Sequence, residues 1–212
     1  TENDSVTGFG TGVKLVMMIF MLIGGVSFPL YLAIFRMSWR DKWRRFEEVW
    51  WFFGILGAGV VSVVIFHLAT GTKDSIFEVV FDTVSVATTT GYVSGNYDHW
   101  GHFGKSVLVV LMIVGGCSGS TAGGLKVGRI VLTARFVIAE LRASFRPQEL
   151  RKVRLGGKFM DVAGQGQLFL VVAMFGFILI GGTLVMSSLE PETSFIGSLS
   201  AVLSCLCNVG PA

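Results

Sequence analysis

Apolar residues along this chain come in blocks rather than in alternation. Four long apolar stretches stand out, each close to the roughly 20 residues that cross the hydrocarbon core of a bilayer. The first runs from about Val13 to Phe35. Pro29 lies inside it and is expected to kink it, which membrane helices tolerate when neighbours satisfy the freed carbonyl. The second runs from about Val49 to Ala69 and is opened by Trp50 and Trp51, a residue type of membrane–water interfaces. The third begins near Phe103, continues past Val131 and is interrupted from Gly115 to Gly124. The fourth spans about Leu168 to Met186.

A further segment is too apolar for a loop and too short to span. From Ser75 to Ala87, the residues Ile76, Phe77, Val80, Phe81 and Val84 recur at helical spacing. Asp74 or Ser75 is placed to cap that helix, with Glu78 in its first turn. The pattern predicts a re-entrant helix over 74–87, followed by Thr88-Thr89-Thr90-Gly91-Tyr92. Non-helical backbone at membrane depth is allowed only where it is buried in protein or lines water. An extended segment there would turn its carbonyls to a pore axis, where carbonyl rings can replace the hydration shell of potassium. Gly91 permits positive φ, and the carbonyl end of the helix would favour a cation.

The pattern occurs twice. A shift of 119 residues carries Ser75 onto Ser194, Phe77 onto Ile196, Val84 onto Leu203 and Ser85 onto Ser204. Thr88, Thr89, Thr90 and Gly91 then fall on Cys207, Asn208, Val209 and Gly210. Each copy follows an apolar span and a short acidic linker, so the unit reads as span, short helix, glycine-bearing turn. A repeat of this size points to pseudo-symmetric units around an axis.

Composition agrees with a lipid-embedded fold. Of 212 residues 52% are hydrophobic and 15% charged, against roughly a quarter charged in soluble domains; the mean hydropathy is +0.69. A net charge of +3 is too small to suggest nucleic-acid binding. Five of the 17 basic residues lie between Arg36 and Arg45 and nine between Lys126 and Lys158, which puts both loops in the cytoplasm. Segment 71–102 then lies outside. Glu2, Asp4, Asp74, Glu78, Asp82, Asp98, Glu190 and Glu192 share that outer side, where they would concentrate cations or simply be solvated loop carboxylates.

Four readings of reactive groups compete with a transport role. Cys117, Cys205 and Cys207 form no disulfide framework or zinc spacing and are expected to pack as small buried residues. Gly119 to Gly124 has the glycine spacing of a phosphate loop, but Leu125 stands at the lysine position and Lys126 comes one late. Gly116-Cys117-Ser118-Gly119 resembles the nucleophile motif of rhomboid-type intramembrane proteases. Its serine would need a histidine base, and His67 is predicted at the far, outer end of its span. His99 and His102 flank Trp100 and are read as surface residues, not metal ligands.

Thr88 to Tyr92, the run Gly115-Gly116-Cys117-Ser118-Gly119-Ser120-Thr121-Ala122-Gly123-Gly124-Leu125-Lys126, and Asn208-Val209-Gly210-Pro211 together resemble the membrane subunit of Trk/Ktr-type potassium transporters, within the wider superfamily of such cation transporters. The Gly-Gly-Cys-x-Gly-Ser-Thr run is closest to the Trk branch. The resemblance implies an all-α polytopic membrane fold, in which four helix–pore helix–helix units surround one pore with pseudo-fourfold symmetry, like a potassium channel. Residues 1–48 would then hold the last helix of the second unit and a cytoplasmic loop. Residues 49–142 would form the third unit, with filter 88–92 and a broken helix 103–142. A cytoplasmic linker would occupy 143–164, and the fourth unit up to its filter 165–212. Because Thr1 is not a methionine and Gly210-Pro211-Ala212 falls inside a filter motif, the chain is expected to be a fragment.

By the same resemblance, Thr88, Thr89, Thr90, Gly91, Tyr92, Cys207, Asn208, Val209 and Gly210 would line the filter. Potassium ions would pass through Thr89, Thr90, Gly91, Asn208, Val209 and Gly210. Gly115, Gly116, Ser118, Gly119, Ser120, Thr121, Gly123, Gly124 and Lys126 would form an intramembrane gate. Five glycines in those ten residues, 115–124, disfavour a continuous helix, though close helix packing through small residues also uses glycine. The expected activity is potassium uptake across the inner or plasma membrane, with a sodium-permeable relative as the alternative within transport. No covalent cofactor is expected. The implied partners are membrane lipid, a second copy of the chain and a cytosolic nucleotide-binding regulator. The basic stretch Arg135 to Arg154 could face that regulator or anionic lipid.

Overall fold

A computed structural model describes residues 6, 8–36, 46–71, 75–95, 100–145, 154–155, 158–159 and 162–210. The helices are α1 (Thr11–Gly25), α2 (Phe28–Arg36), α3 (Glu47–Thr70), α4 (Ile76–Ala87), α5 (Gly101–Val114), α6 (Val127–Phe145), α7 (Val162–Leu189) and α8 (Phe195–Cys207). An antiparallel ladder of two-residue strands, β1 (Arg154–Leu155) and β2 (Lys158–Phe159), falls within the stretch expected as a cytoplasmic linker, 143–164.

Among the described residues, two helices meet the length and hydropathy of a membrane span: α3, with mean hydropathy 2.2, and Gly164–Leu189 of α7, with 2.6. Only 28% and 11% of their apolar windows are buried within the chain. A core helix of a soluble protein would be mostly covered. Phe177, Ile180 and Leu184 project instead from α7 into open surroundings, as lipid-facing or subunit-facing residues do.

The first apolar stretch is two helices, not one kinked span. Val26 is extended (φ −88°, ψ 149°) and ends α1, while Pro29 sits in the first turn of α2. Proline is tolerated there because that N–H has no partner within the helix anyway. The carbonyls released at Gly24 and Gly25 accept the N–H groups of Thr121 and Cys117, at 3.3 and 2.9 Å. The third stretch breaks at Gly115, and helix resumes only at Val127.

The short helix α4 lies at the centre, packed against α1, α3 and α5. Val79 and every residue from Phe81 to Ala87 are buried. Its start is fixed by Ser75 at the N-cap, whose N–H is accepted by Glu78 at 3.4 Å; residue 74, which was expected to begin this helix, lies outside the described residues. The α8 helix packs against α7 and α5. Glycines set the spacing of these contacts. A methyl at Gly59 of α3 would stand 2.8 Å from Leu111 of α5, and one at Gly182 of α7 would stand 2.8 Å from Val202 of α8. Small residues let membrane helices approach in this way.

Candidate functional site

The ends of α4 and α8 make the same turn with different side chains. Thr89 and Asn208 both have φ 54°, and Gly91 and Gly210 have φ 78° and 109°. The Thr89 N–H donates to Val86 O and the Asn208 N–H to the matching Cys205 O, at 3.0 and 3.2 Å. Thr90 N–H reaches Ser85 O, and Val209 N–H reaches Ser204 O, each at 2.9 Å. The helix starts match as well, since Ser75 and Ser194 are both N-caps in extended conformation. Each bond in one copy is 119 positions from its counterpart.

A β-branched residue at positive φ is an outlier, costing on the order of 1–3 kcal/mol. At Thr89 the surroundings hold it. Its Oγ1 accepts the Gly123 N–H at 2.6 Å, and the Thr88 hydroxyl is bonded to Val84 O at 2.9 Å and to the Thr90 hydroxyl at 2.9 Å. Among the described residues, no carbonyl oxygen from Thr88 to Tyr92 or from Asn208 to Gly210 accepts a hydrogen bond. The next carbonyl, Val93 O, accepts from Val6 N–H at 3.2 Å. Thr90, Tyr92, Asn208 and Gly210 are exposed, so these stretches lie open to solvent or to a polar guest.

The Gly-rich segment, 115–126, is stitched to its neighbours on every side. Phe28 N–H donates to Gly119 O (3.0 Å), Leu125 N–H to Ile113 O (2.9 Å) and Val127 N–H to Gly116 O (3.0 Å). A single carboxylate oxygen, Glu48 Oε1, accepts Ser118 N–H at 2.6 Å and Gly128 N–H at 3.0 Å. Gly128 lies in the first turn of α6, where a carboxylate also meets the positive end of the helix dipole. Lys126, at φ 75°, folds back to the Ala122 carbonyl. The neighbouring Glu47 pairs with Arg135 of α6.

The segment also touches both glycine-bearing turns. Gly123 donates to Thr89, and its own α-carbon lies against the Cys207 carbonyl: a methyl there would stand 1.7 Å from that oxygen. A methyl at Gly115 would stand 2.2 Å from Gly123 O. Cys117 is buried against this arrangement. The structure thus brings the candidate gate, Gly115 to Lys126, to the inner ends of both candidate filters.

Three charged side chains with bonds to these segments escaped the sequence reading. Asp82, grouped there with loop carboxylates, is 1% exposed and accepts Ser94 N–H at 2.7 Å and Gly95 N–H at 3.0 Å. Lys14 is 5% exposed; its ammonium donates to Ser94 Oγ at 2.5 Å and lies 3.7 Å from Glu78. Glu48 was unassigned. The available signal was a lone lysine in an otherwise uncharged apolar block and an acid inside an apolar helix, since charges in such places need partners.

Other candidates are not brought together. Ser118 is bound at Glu48, near the start of α3, whereas His67 lies 19 residues further along that helix, a rise of about 28 Å. Ser118 and His67 are thus held far apart along α3. Cys205 is exposed, unlike Cys117 and Cys207. Leu203 and Cys207 lie four apart on the buried face of α8, and Cys205, midway between them, points away. His99 lies outside the described residues, and no cluster of His, Cys, Asp and Glu fit for a metal occurs among the described ones.

Comparison with known proteins places this arrangement. The family model for TrkH cation transport proteins matches residues 1–212. The chain is 31% identical over 196 residues to the Trk system potassium uptake protein TrkI of Halomonas elongata, covering 91% of this chain and 39% of that protein. It is 27% identical to TrkH of Vibrio parahaemolyticus, over 94% of this chain and 42% of that protein. The crystal structure of the potassium transporter TrkH from Vibrio parahaemolyticus superposes with a TM-score of 0.82 at 25% identity, covering 98% of this chain and 46% of that one. The chain therefore spans less than half the length of the relatives it matches.

Proposed function

The chain belongs to the TrkH family of cation transport proteins, membrane transporters and not enzymes, and from that premise we propose that it forms part of a potassium-uptake pathway. Residues 49–142 supply one pore unit and 165–212 part of another, following the last helix of a preceding unit in 1–48. Carbonyls of Thr88 to Tyr92 and of Cys207 to Gly210 coordinate the dehydrated ion, and segment 115–126 blocks the path beneath them.

One observation carries this reading: two segments 119 residues apart share positive-φ positions and turn hydrogen bonds, yet differ in side chain. Side-chain chemistry would not survive an exchange of Thr89 for Asn208. Carbonyl chemistry does. Each turn also follows the C-terminal end of a short helix, where partial negative charge favours a cation.

A homodimer in the inner or plasma membrane, governed by a cytosolic nucleotide-binding regulator, completes the proposal. The basic stretch Arg135 to Arg154 would meet that regulator or anionic lipid.

The test is Gly91→Ser in the full-length protein. At φ 78° a residue with a β-carbon is disfavoured by roughly 1–2 kcal/mol, which the strand relieves by turning its carbonyl aside. The potassium/sodium permeability ratio should fall about tenfold, with loss of growth rescue at low potassium in uptake-deficient cells. An unchanged ratio in protein that still conducts refutes the filter assignment; a parent that already passes sodium as readily as potassium assigns it to sodium-permeable transport instead.

A further inference from the structure

The strand that leaves the candidate filter is held from behind by charges that the transport reading does not use. Its inner end is tied to α4 locally, through Thr89 N–H to Val86 O, Thr90 N–H to Ser85 O and the Thr88 hydroxyl to Val84 O. Its outer end is tied by side chains. Asp82, two turns before the filter on the same helix, receives Ser94 N–H on Oδ1 and Gly95 N–H on Oδ2, at 2.7 and 3.0 Å. The Lys14 ammonium, from α1, grips Ser94 Oγ at 2.5 Å and faces Glu78 at 3.7 Å. Val6, just ahead of α1, donates its N–H to Val93 O at 3.2 Å.

Three consecutive residues, Val93, Ser94 and Gly95, are thereby fixed to two other parts of the chain. Only Thr88 to Tyr92 lies between this anchor and the end of α4.

We infer that Asp82 is a positioning residue for ion selection: its carboxylate, backed by Lys14, clamps the outer end of the Thr88–Tyr92 strand and so sets the spacing of its carbonyls. A buried carboxylate costs far more than a neutral side chain unless it is bonded and paired. Fold stability alone gives no reason to keep one in the most buried part of α4. Geometry does. A carboxylate can accept two adjacent backbone N–H groups, one on each oxygen, whereas an amide in the same place would set its NH2 against one of them and an apolar residue would bind neither.

The other copy supports a local role. The position equivalent to Asp82 is Ala201, and that equivalent to Glu78 is Gly197. The clamp therefore belongs to one unit and is not part of the repeated scaffold. It holds the outer end of Thr88–Tyr92 through Ser94 and Gly95, and a preorganised coordinating shell favours one ion radius over another.

This inference rests on the filter reading, and the experiment separates the two. Full-length protein carrying Asp82→Asn, Lys14→Met, both together, or Gly91→Ser is reconstituted into vesicles. Potassium and sodium tracer fluxes are measured on protein that elutes as a single species. In Asp82→Asn the amide group faces one backbone N–H donor with another donor, so the potassium/sodium ratio should fall about tenfold, the usual scale for losing a hydrogen bond to a charged group. Lys14→Met should lower it by about threefold. The double variant should be no worse than Asp82→Asn, because one clamp is being broken twice.

A merely structural Asp82 would lower yield while leaving the ratio of the surviving protein unchanged, and that outcome overturns the inference. If Asp82→Asn does not assemble, Lys14→Met carries the test: a lowered ratio supports the clamp and an unchanged one refutes it. A ratio that survives Gly91→Ser removes the filter reading itself. A ratio sensitive to Gly91→Ser but indifferent to Asp82→Asn and Lys14→Met removes only the clamp.

Discussion

Replacing Gly123 by Ala tests the contact between the Gly-rich segment and the candidate filters at its tightest point. The added methyl would lie 1.7 Å from the Cys207 carbonyl oxygen and 2.6 Å from the carbonyl carbon. Both are backbone atoms, so no side chain can swing aside. A carbon–oxygen contact closes at about 3.3 Å, so loop or filter must give by more than 1 Å. Cys207 closes α8 and is held by its helix, whereas the loop is held by scattered single bonds, so the loop is the part that yields. Displacing it breaks the 2.6 Å bond from Gly123 N–H to Thr89, worth about 1 kcal/mol. Overpacking adds about 1–3 kcal/mol. Together, a shift of about 2–4 kcal/mol changes the docked-to-undocked ratio by roughly 30- to 900-fold. If docking closes the path, tracer flux per molecule in vesicles should rise, up to the limit set by the fraction already open. Thr89→Val, which removes the acceptor without adding bulk, should raise flux less. Well-folded Gly123→Ala protein with unchanged or reduced flux would refute the gate.

Three further substitutions probe other parts of the arrangement. Glu48→Ala abandons two N–H donors, those of Ser118 and Gly128, and should loosen the loop by about 2–4 kcal/mol; flux in the same assay should rise, with Glu48→Gln in between, and a fall for both would mean that the anchor supports conduction. Ser118→Ala should leave rubidium uptake within about twofold of the parent, because the backbone N–H is what Glu48 binds, and labelling of Ser118 by a fluorophosphonate that depends on His67 would contradict the absence of a reactive pair. Gly59→Ala brings a methyl to 2.8 Å from a terminal carbon of Leu111; a flexible side chain can yield, so the cost should be about 1 kcal/mol, seen as a thermal midpoint lowered by a few degrees in detergent, and a large loss of folded protein would mean that Leu111 cannot move.

The span-and-short-helix plan was legible because lipid imposes it. Backbone without water must be helical or lie inside protein, so apolar block length and the Ser75–Ala87 periodicity carried most of the information. The division at Val26 was harder to see. Pro29 suggested a kink within one helix, whereas the chain breaks three residues earlier because Gly24 and Gly25 give their carbonyls to a loop 90 residues away. No local pattern encodes that partner. Asp82 and Lys14 were visible as charges in apolar surroundings, but their meeting at Ser94 depends on α1 packing against α4. Pairing across 80 residues is a property of the fold, not of either segment.

Glycine had two opposite readings in the 115–124 run, and the difference bears on mechanism. Taken as flexible backbone, the run would be a loose plug whose many conformations limit flux. The contacts argue otherwise. Gly115, Gly116 and Gly123 are each approached more closely than any β-carbon allows, so their lack of a side chain permits contact rather than motion. The loop is a fitted part, held by Gly24, Gly25, Phe28, Glu48 and Thr89. Moving such a part means breaking several weak bonds together, which makes a two-state closure more natural than graded leakage. The filters show the complementary economy: Thr89 and Asn208 hold one backbone angle with unlike side chains. If carbonyls coordinate the ion, as proposed, the side chain is free to diverge between units; Thr89 is a strut to the loop and Asn208 a residue at home in left-handed backbone.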